Sequence, residues 1–227
     1  MSELQRSAAR ASEAREAYLQ LASAADGFEQ YANPHAVRIA AIADRIAEAF
    51  HMPPQDRRSL RMAARMHDLG EVAMERDYIQ RAGPLTAEER IDLERHPVIG
   101  EQEAARASAD RDVQLLVRWH HEWWNGGGYP DALRQDEIPL AARILRVADS
   151  YAALTDARPH RPALTEQAAR DEIIRRAGIE FDPSVVAALL ALEDFNELRS
   201  FAKSAAEVSS TTTADDDGWL LFSSFMK

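Results

Sequence analysis

Seven histidines are spread along the 227-residue chain, and five of them fall on the inward side of expected helices or at helix ends: His35, His67, His96, His120 and His121. Asp68 follows His67 directly, and Asp149 lies inside the apolar run 144–154. A carboxylate inside such a run is costly unless something pairs with it. Taken singly, each histidine is more often a hydrogen-bonded core residue than a ligand. Five imidazoles and two acids turned inward without a shared purpose would cost on the order of several kcal/mol in unmet hydrogen bonds. A metal centre satisfies all of them at once. Neutral imidazole with carboxylate oxygen suits Fe, Mn, Zn, Co or Ni better than Ca or Mg alone. This many donors exceeds what one ion with open positions needs, and suits two ions sharing a carboxylate. Two ions about 3.5–4 Å apart can generate hydroxide near neutral pH and clamp a phosphodiester. The chain has no cysteine, which excludes disulfides, thiolate ligands and a cysteine nucleophile. Neither a Gly-x-Ser-x-Gly elbow nor a Walker A phosphate loop occurs.

Helices must position these groups. No alternating Val/Ile/Thr runs and no hairpin dipeptides are found, so the expected fold class is all-α. Asn33 and Pro34 open a helix whose inner face carries His35, Ile39, Ile42 and Ile46. Pro53 and Pro54 end that segment. A second helix is expected from about residue 56 to 69, with Leu60, Ala63, Ala64 and His67 inward and Gly70 as its stop. Thr86 and Glu89 form a capping-box pattern. Pro97 breaks the helix at His96 and starts another running to about residue 108. Asp110 caps a segment over 113–121 with Val113, Leu116, Val117 and His120 on one face. Residues 125–128 form a glycine-rich loop. Residues 139–155 read as a long helix with Ile144, Val147, Tyr151 and Leu154 inward, and helices near 165–177 and 183–200 follow, the second opened by Asp182 and Pro183.

Length and charge bound the partners. The chain suits one domain: an N-terminal helix over 1–30, a helical domain over 31–200, and a Ser/Thr/Asp-rich tail over 201–227 that ends in the apolar tip Trp219, Leu220, Leu221, Phe222 and Phe225. No run of about 18 apolar residues exists, and the first 20 residues are too charged for a secretion signal. The expectation is a cytoplasmic protein without a membrane partner. A net charge of −11 argues against DNA or RNA polymers. A small phosphate ester remains compatible, given metals and a few arginines to create a local positive pocket.

The order His35, His67-Asp68, His96-Pro97, His120-His121-Glu122, Gly128-Tyr129-Pro130 and Val147-Ala148-Asp149 resembles the HD-GYP domain. The surrounding text agrees: HDLG, HPVIG, HHEWWNGGGYP, IPLAARILRVADSYAALT, RPHR and FDP. The resemblance covers roughly residues 31–190. It implies an HD-domain helical bundle with a central metal site and hydrolysis of cyclic di-GMP to pGpG and then GMP; some members act on related cyclic dinucleotides. The implied ligands are His35, His67, Asp68, His96, His120, His121 and Asp149, holding two divalent ions, Fe or Mn first, then Zn, Co or Ni. His67 and Asp68 become the catalytic pair, with Asp68 bridging the ions. Tyr129 shapes the substrate pocket, and Arg158 and Arg161 match phosphate contacts. Members are often fused to a receiver or sensor domain; here regulation is expected from a signalling partner or from a homodimer through the N-terminal helix.

The chain departs from the family pattern at several points. Glu71 stands where HDxGK carries a lysine that helps neutralise substrate phosphate, and Ala152 replaces an aspartate. His160 stands for the tyrosine of RPYR, Ala132 and Gln135 stand for two glycines, and Tyr31 for a glutamate that supplies a third metal in some members. Two ions rather than three are therefore expected, with the metal cage intact and the substrate clamp altered. A catalytically weak signalling module and a general HD phosphohydrolase are the competing readings. Trp119, Trp123 and Trp124 are read as packing around the paired histidines, with base stacking as the alternative. Glu122 is read as orienting a ligand histidine or as a capping or surface residue, Arg143 as an ion-pair partner, and His51 as an exposed loop residue.

Overall fold

The computed structural model describes residues 35–81, 83–157 and 162–192. The expected helix over 1–30, the Asn33-Pro34 cap, Tyr31, Arg158, His160, Arg161 and the tail over 201–227 lie outside the described residues. What is described is helical, without a β-strand. No described helix is long and apolar enough to cross a membrane.

In chain order the helices are α1 (His35–Ala49), α2 (Pro54–Met66), α3 (Leu69–Met74), α4 (Asp77–Gln80), α5 (Ala87–Leu93), α6 (His96–Arg106), α7 (Arg111–Trp119), a 3₁₀ turn (Gln135–Glu137), α8 (Leu140–Thr155), α9 (Glu166–Arg175) and α10 (Pro183–Ala191). Helix α8 is the axis. It packs against α1, α2, α7, α9 and α10, while α3 lies on α6 and α6 on α7. Ile39, Ile42 and Ile46 bury one stripe of α1 against Leu60 of α2 and Ile144, Leu145 and Tyr151 of α8. Each such aliphatic side chain contributes about 1.5–3 kcal/mol of burial. The inward faces expected for α1, α2 and α7 are buried as read; on α8, Ile144, Val147 and Tyr151 are buried and Leu154 is half-exposed.

Helix ends follow the sequence with three corrections, the first being that Asp110 precedes α7 without a side-chain cap bond. Thr86 and Glu89 cap each other's backbone at 3.2 and 2.8 Å, and Asp182 accepts the Ser184 N–H at 2.8 Å. Pro54 sits in the first turn of α2, so that helix starts earlier than expected. Gly70 does not stop a helix; it lies inside α3. A Cβ there would come within 1.9 Å of the His96 carbonyl oxygen. The glycine is required by the approach of α3 to α6, not by a left-handed turn.

Candidate metal centre

Helix ends carry most of the candidate ligands. His67 is the C-cap of α2 and Asp68 the N-cap of α3, so the His-Asp pair occupies the corner between two helices. The Asp68 side chain makes no cap bond, which leaves its oxygens free to face inward. His96 opens α6, His120 is the C-cap of α7, and His35 opens the described part of α1. Asp149 comes from the middle of α8. His121 follows His120 into the loop.

The structure brings all seven candidate ligands together in two adjoining groups: Asp68, His96, His120 and His121 in one, and His35, His67 and Asp149 in the other, with donor atoms within 4.8 Å of one another in each. Asp68 stands between them. Its Oδ2 is 2.7 Å from His67 Nε2, and its Oδ1 is 3.5 and 3.6 Å from the Nε2 atoms of His96 and His120. Asp149 Oδ1 lies 3.7 Å from His35 Nε2 and 3.8 Å from His67 Nε2. His96 and His120 bring their Nε2 atoms to 3.3 Å. A cation about 2.1 Å from each of two ligands separates them by about 3.0–3.4 Å. The spacings are close to that range.

The imidazoles are oriented from behind. His67, His96 and His120 each direct Nδ1 at the carbonyl three residues earlier: Ala64, Leu93 and Val117, at 3.1, 2.8 and 2.6 Å. A proton on Nδ1 leaves Nε2 as the lone-pair donor, the tautomer a metal ligand needs. Electrostatics agrees. Burial pushes the Asp68 carboxyl up, but the charge of His67 and hydrogen bonds from His120 and His67 outweigh it and hold Asp68 well below the carboxylate range. Asp149 is lowered too, because the His35 hydrogen bond and the charges of His67 and Arg146 prevail over burial. Burial takes His96 down to about 4 against the pull of Asp68. Burial, with His120 and Arg146 nearby, takes His121 well below its ordinary value. Ionised Asp68 and Asp149 and neutral His96 and His121 are states that bind a cation, and a bound cation would supply the positive charge that His67 otherwise lends Asp68, so the donor set fits a divalent metal.

The glycine-rich loop closes one side. Tyr129 stacks on His121 with ring centroids 4.8 Å apart and planes at 23°. Burial raises its pKa and keeps the phenol neutral. A Cβ on Gly128 would reach within 2.3 Å of Trp123 N and 2.4 Å of His121 O, which is why no other residue fits before Tyr129. Glu122 does not orient a histidine. It accepts the backbone N–H groups of Asp131 at 2.7 Å and Leu133 at 3.0 Å, bracing the loop from beneath. Ala132 and Gln135 have φ of 54° and 50°, so the chain keeps the left-handed backbone with a side chain on it. Among the indoles, Trp119 donates to Asp131 at 2.8 Å, while Trp123 and Trp124 lie under Arg176 and Arg143. Arg143 pairs with Asp182 at 2.7 Å, as its ion-pair reading expects, and His51 is exposed. Glu71 is buried in the first turn of α3.

Three residues around the centre escape the sequence reading. Arg146 Nη1 lies 3.2 Å from His121 Nδ1 and 3.3 Å from Asp149 Oδ2, and its other nitrogen pairs with Glu180. Asp156 Oδ2 meets His35 Nδ1 at 2.8 Å, and Arg38 meets Asp156 Oδ1. The available signals were spacing alone: Arg38 follows His35 by three residues and Arg146 precedes Asp149 by three, each on its helix's site-facing side.

A family model described as an HD domain matches residues 20–185. The chain is 39% identical over 156 residues to a cyclic di-GMP phosphodiesterase response regulator of Xanthomonas campestris, across 67% of this chain and 41% of that protein. It is 30% identical over 179 residues to a 3'3'-cGAMP-specific phosphodiesterase of Vibrio cholerae, across 78% of this chain and 34% of that protein. The chain thus spans less than half the length of these curated relatives. Its fold is similar to that of a solved cyclic GMP-AMP specific phosphodiesterase of V. cholerae, with a TM-score of 0.66 at 19% identity over 88% of this chain and 56% of the other.

Proposed function

This chain belongs to the HD domain family, and on that premise we propose that it is a metal-dependent phosphodiesterase of the cytoplasm that hydrolyses cyclic di-GMP, first to pGpG and then to GMP. One observation carries the reading: seven imidazole and carboxylate side chains from distant stretches converge in two adjoining groups. In this reading His35, His67 and Asp149 hold one divalent ion, His96, His120 and His121 hold another, and Asp68 is shared. Iron or manganese heads the expected metals, with zinc, cobalt and nickel behind them. When bound, such ions polarise a phosphodiester and lower the pKa of water at the site. Water's oxygen bonds to phosphorus, the bond from phosphorus to the ribose 3' oxygen breaks, and that oxygen takes a proton. Tyr129, neutral and stacked on His121, forms one wall of the nucleotide pocket. Arg158 and Arg161 complete the phosphate contacts in the same reading.

The relatives support a cyclic dinucleotide as substrate class and include proteins named for both cyclic di-GMP and 3'3'-cGAMP. The test is turnover by protein loaded anaerobically with manganese or iron and offered cyclic di-GMP, 3'3'-cGAMP and cyclic di-AMP in parallel. Formation of pGpG and GMP, absent with His67→Ala, is the expected result. No product above that control would sink the proposal, and preferential hydrolysis of 3'3'-cGAMP would correct the substrate. Glu71 favours a second reading, a module that binds the dinucleotide and barely turns it over. Tight calorimetric binding without hydrolysis would support it.

A further inference from the structure

His35 is held differently from the other imidazoles. The rings of His67, His96 and His120 lean on neutral backbone carbonyls of their own helices. Nδ1 of His35 instead meets a carboxylate, Asp156 Oδ2, at 2.8 Å, brought from the far end of α8. Asp156 is itself fixed. Its Oδ1 accepts Arg38 Nη1 at 2.5 Å, Arg38 Nη2 reaches Thr155 Oγ at 2.7 Å, and the Thr155 hydroxyl donates to Tyr151 O at 2.7 Å. All four residues are buried: His35 at 1% exposure, Arg38 and Thr155 at 4%, and Asp156 at 6%. The buried Arg38 guanidinium against Oδ1 gives Asp156 a cationic partner, so a carboxylate paired with a cation stands behind the ring.

An ionised acceptor makes a shorter, stronger hydrogen bond than a carbonyl and pushes electron density toward the opposite ring nitrogen. That nitrogen, His35 Nε2, faces Asp149 at 3.7 Å. The group it serves has two imidazoles, whereas the group around His96 has three. We propose that Asp156, clamped by Arg38, is a positioning residue that fixes the His35 tautomer and strengthens it as a donor, so that one half of the centre depends on this pair and the other half does not. The proposal rests on the metal reading above. A plain alternative is an ion pair that merely ties α1 to the end of α8.

Three variants separate the two. Asp156→Ala removes the acceptor but leaves Arg38 buried without its anion. Arg38→Met/Asp156→Ala removes both charges and protects the fold. Asp156→Asn keeps an acceptor oxygen without the charge. The first readout needs no metal: nitrogen NMR of histidine-labelled apoprotein, which should show His35 protonated at Nδ1 in the wild type and in Asp156→Asn, and a mixed tautomer in the double variant. The second is manganese titration, in which the double variant should lose affinity about 10–100-fold for one equivalent and keep the other, with Asp156→Asn between. A folded double variant with an unchanged His35 tautomer and two unchanged equivalents would overturn the proposal. Wild-type protein that takes up no metal would remove the metal reading, and the tautomer readout would still decide whether Asp156 sets His35.

Discussion

Replacing Gly70 with alanine should disable the centre without touching a ligand. The added Cβ would lie 1.9 Å from His96 O, 2.7 Å from His96 C and 2.8 Å from Gly100 N. All three are backbone atoms of α6, so no side chain can swing away. Ordinary contact begins near 3.4 Å, which asks α3 and α6 to part by as much as 1.5 Å, the difference between 3.4 and 1.9. The candidate ligands sit on both sides of that contact: Asp68 is two residues before Gly70, and His96 owns the carbonyl that is struck. Their 3.5 Å separation would open toward 5 Å, the sum of 3.5 and 1.5, too wide for one cation about 2.1 Å from each. Overpacking of this kind costs about 1–3 kcal/mol in stability. A misplacement near 1 Å at reacting groups costs about a hundredfold in rate. The variant should therefore fold with a lowered Tm, bind manganese at least tenfold more weakly by competition titration, and lose about a hundredfold or more in turnover. A Gly70→Ala protein with wild-type Tm and wild-type metal affinity would refute the claim that this approach of helices sets the site.

Three further outcomes follow from the same geometry. Ala132→Gly and Gln135→Gly should each stabilise the fold by about 0.5–1 kcal/mol, because the left-handed penalty of about 1–2 kcal/mol for a residue with a Cβ exceeds the entropy that glycine restores to the unfolded chain; calorimetry showing a lower Tm for both would contradict this. Asp44 accepts Arg57 at 3.0 and 2.8 Å and Arg61 at 2.6 Å, and although burial pushes its pKa up, these partners hold it below the ordinary value. A depressed folded-state pKa gives stability that is present above the unfolded value of 3.8 and is lost as pH falls through the folded value, so the Tm gap between wild type and Asp44→Asn should narrow below pH 3.8; a gap independent of pH would count against the pairing. Manganese at a hundred times its Kd should stabilise the protein by about 2.7 kcal/mol per site, roughly a 5–10 °C rise in Tm reversed by chelator, and His67→Ala should blunt it.

The sequence made the bundle legible because its apolar stripes have a helical period and its caps are local. Ile39, Ile42 and Ile46, or Thr86 with Glu89, need only neighbours within a turn or two to declare themselves. The candidate ligands were legible for another reason: an acid such as Asp149 inside an apolar helix has to be explained by something outside that helix. What stayed hidden depends on pairings that no local pattern encodes. Gly70 reads as a helix stop until α6 is laid against it. Glu122 reads as a partner for the adjacent histidines until the loop folds back and offers the N–H groups of Asp131 and Leu133. Asp156 and His35 are 121 residues apart, and nothing in either neighbourhood announces the other. Short helices such as α3 and α4 carry too few residues to show a period.

A carboxylate about 5 Å from a phosphate costs roughly 3 kcal/mol at an effective dielectric of 20, so Glu71 in place of a lysine argues against phosphate binding on that side. Arg146 brings a cation beside His121 and Asp149. At Tyr129, which both groups influence, burial is the dominant effect on the phenol, the field of Arg146 comes next, and that of Glu71 is weaker. Arg146 is not a free charge, however. Asp149 and Glu180 both face it, and Arg176 shares Glu180. Two arginines against two carboxylates leave this cluster neutral. In the proposed reading, then, the positive potential that would draw a phosphodiester onto Tyr129 would have to come chiefly from divalent ions held by the candidate histidines and aspartates. Substrate affinity and metal occupancy become one quantity in such a site, and a preparation short of metal would show a raised KM as well as a lowered kcat.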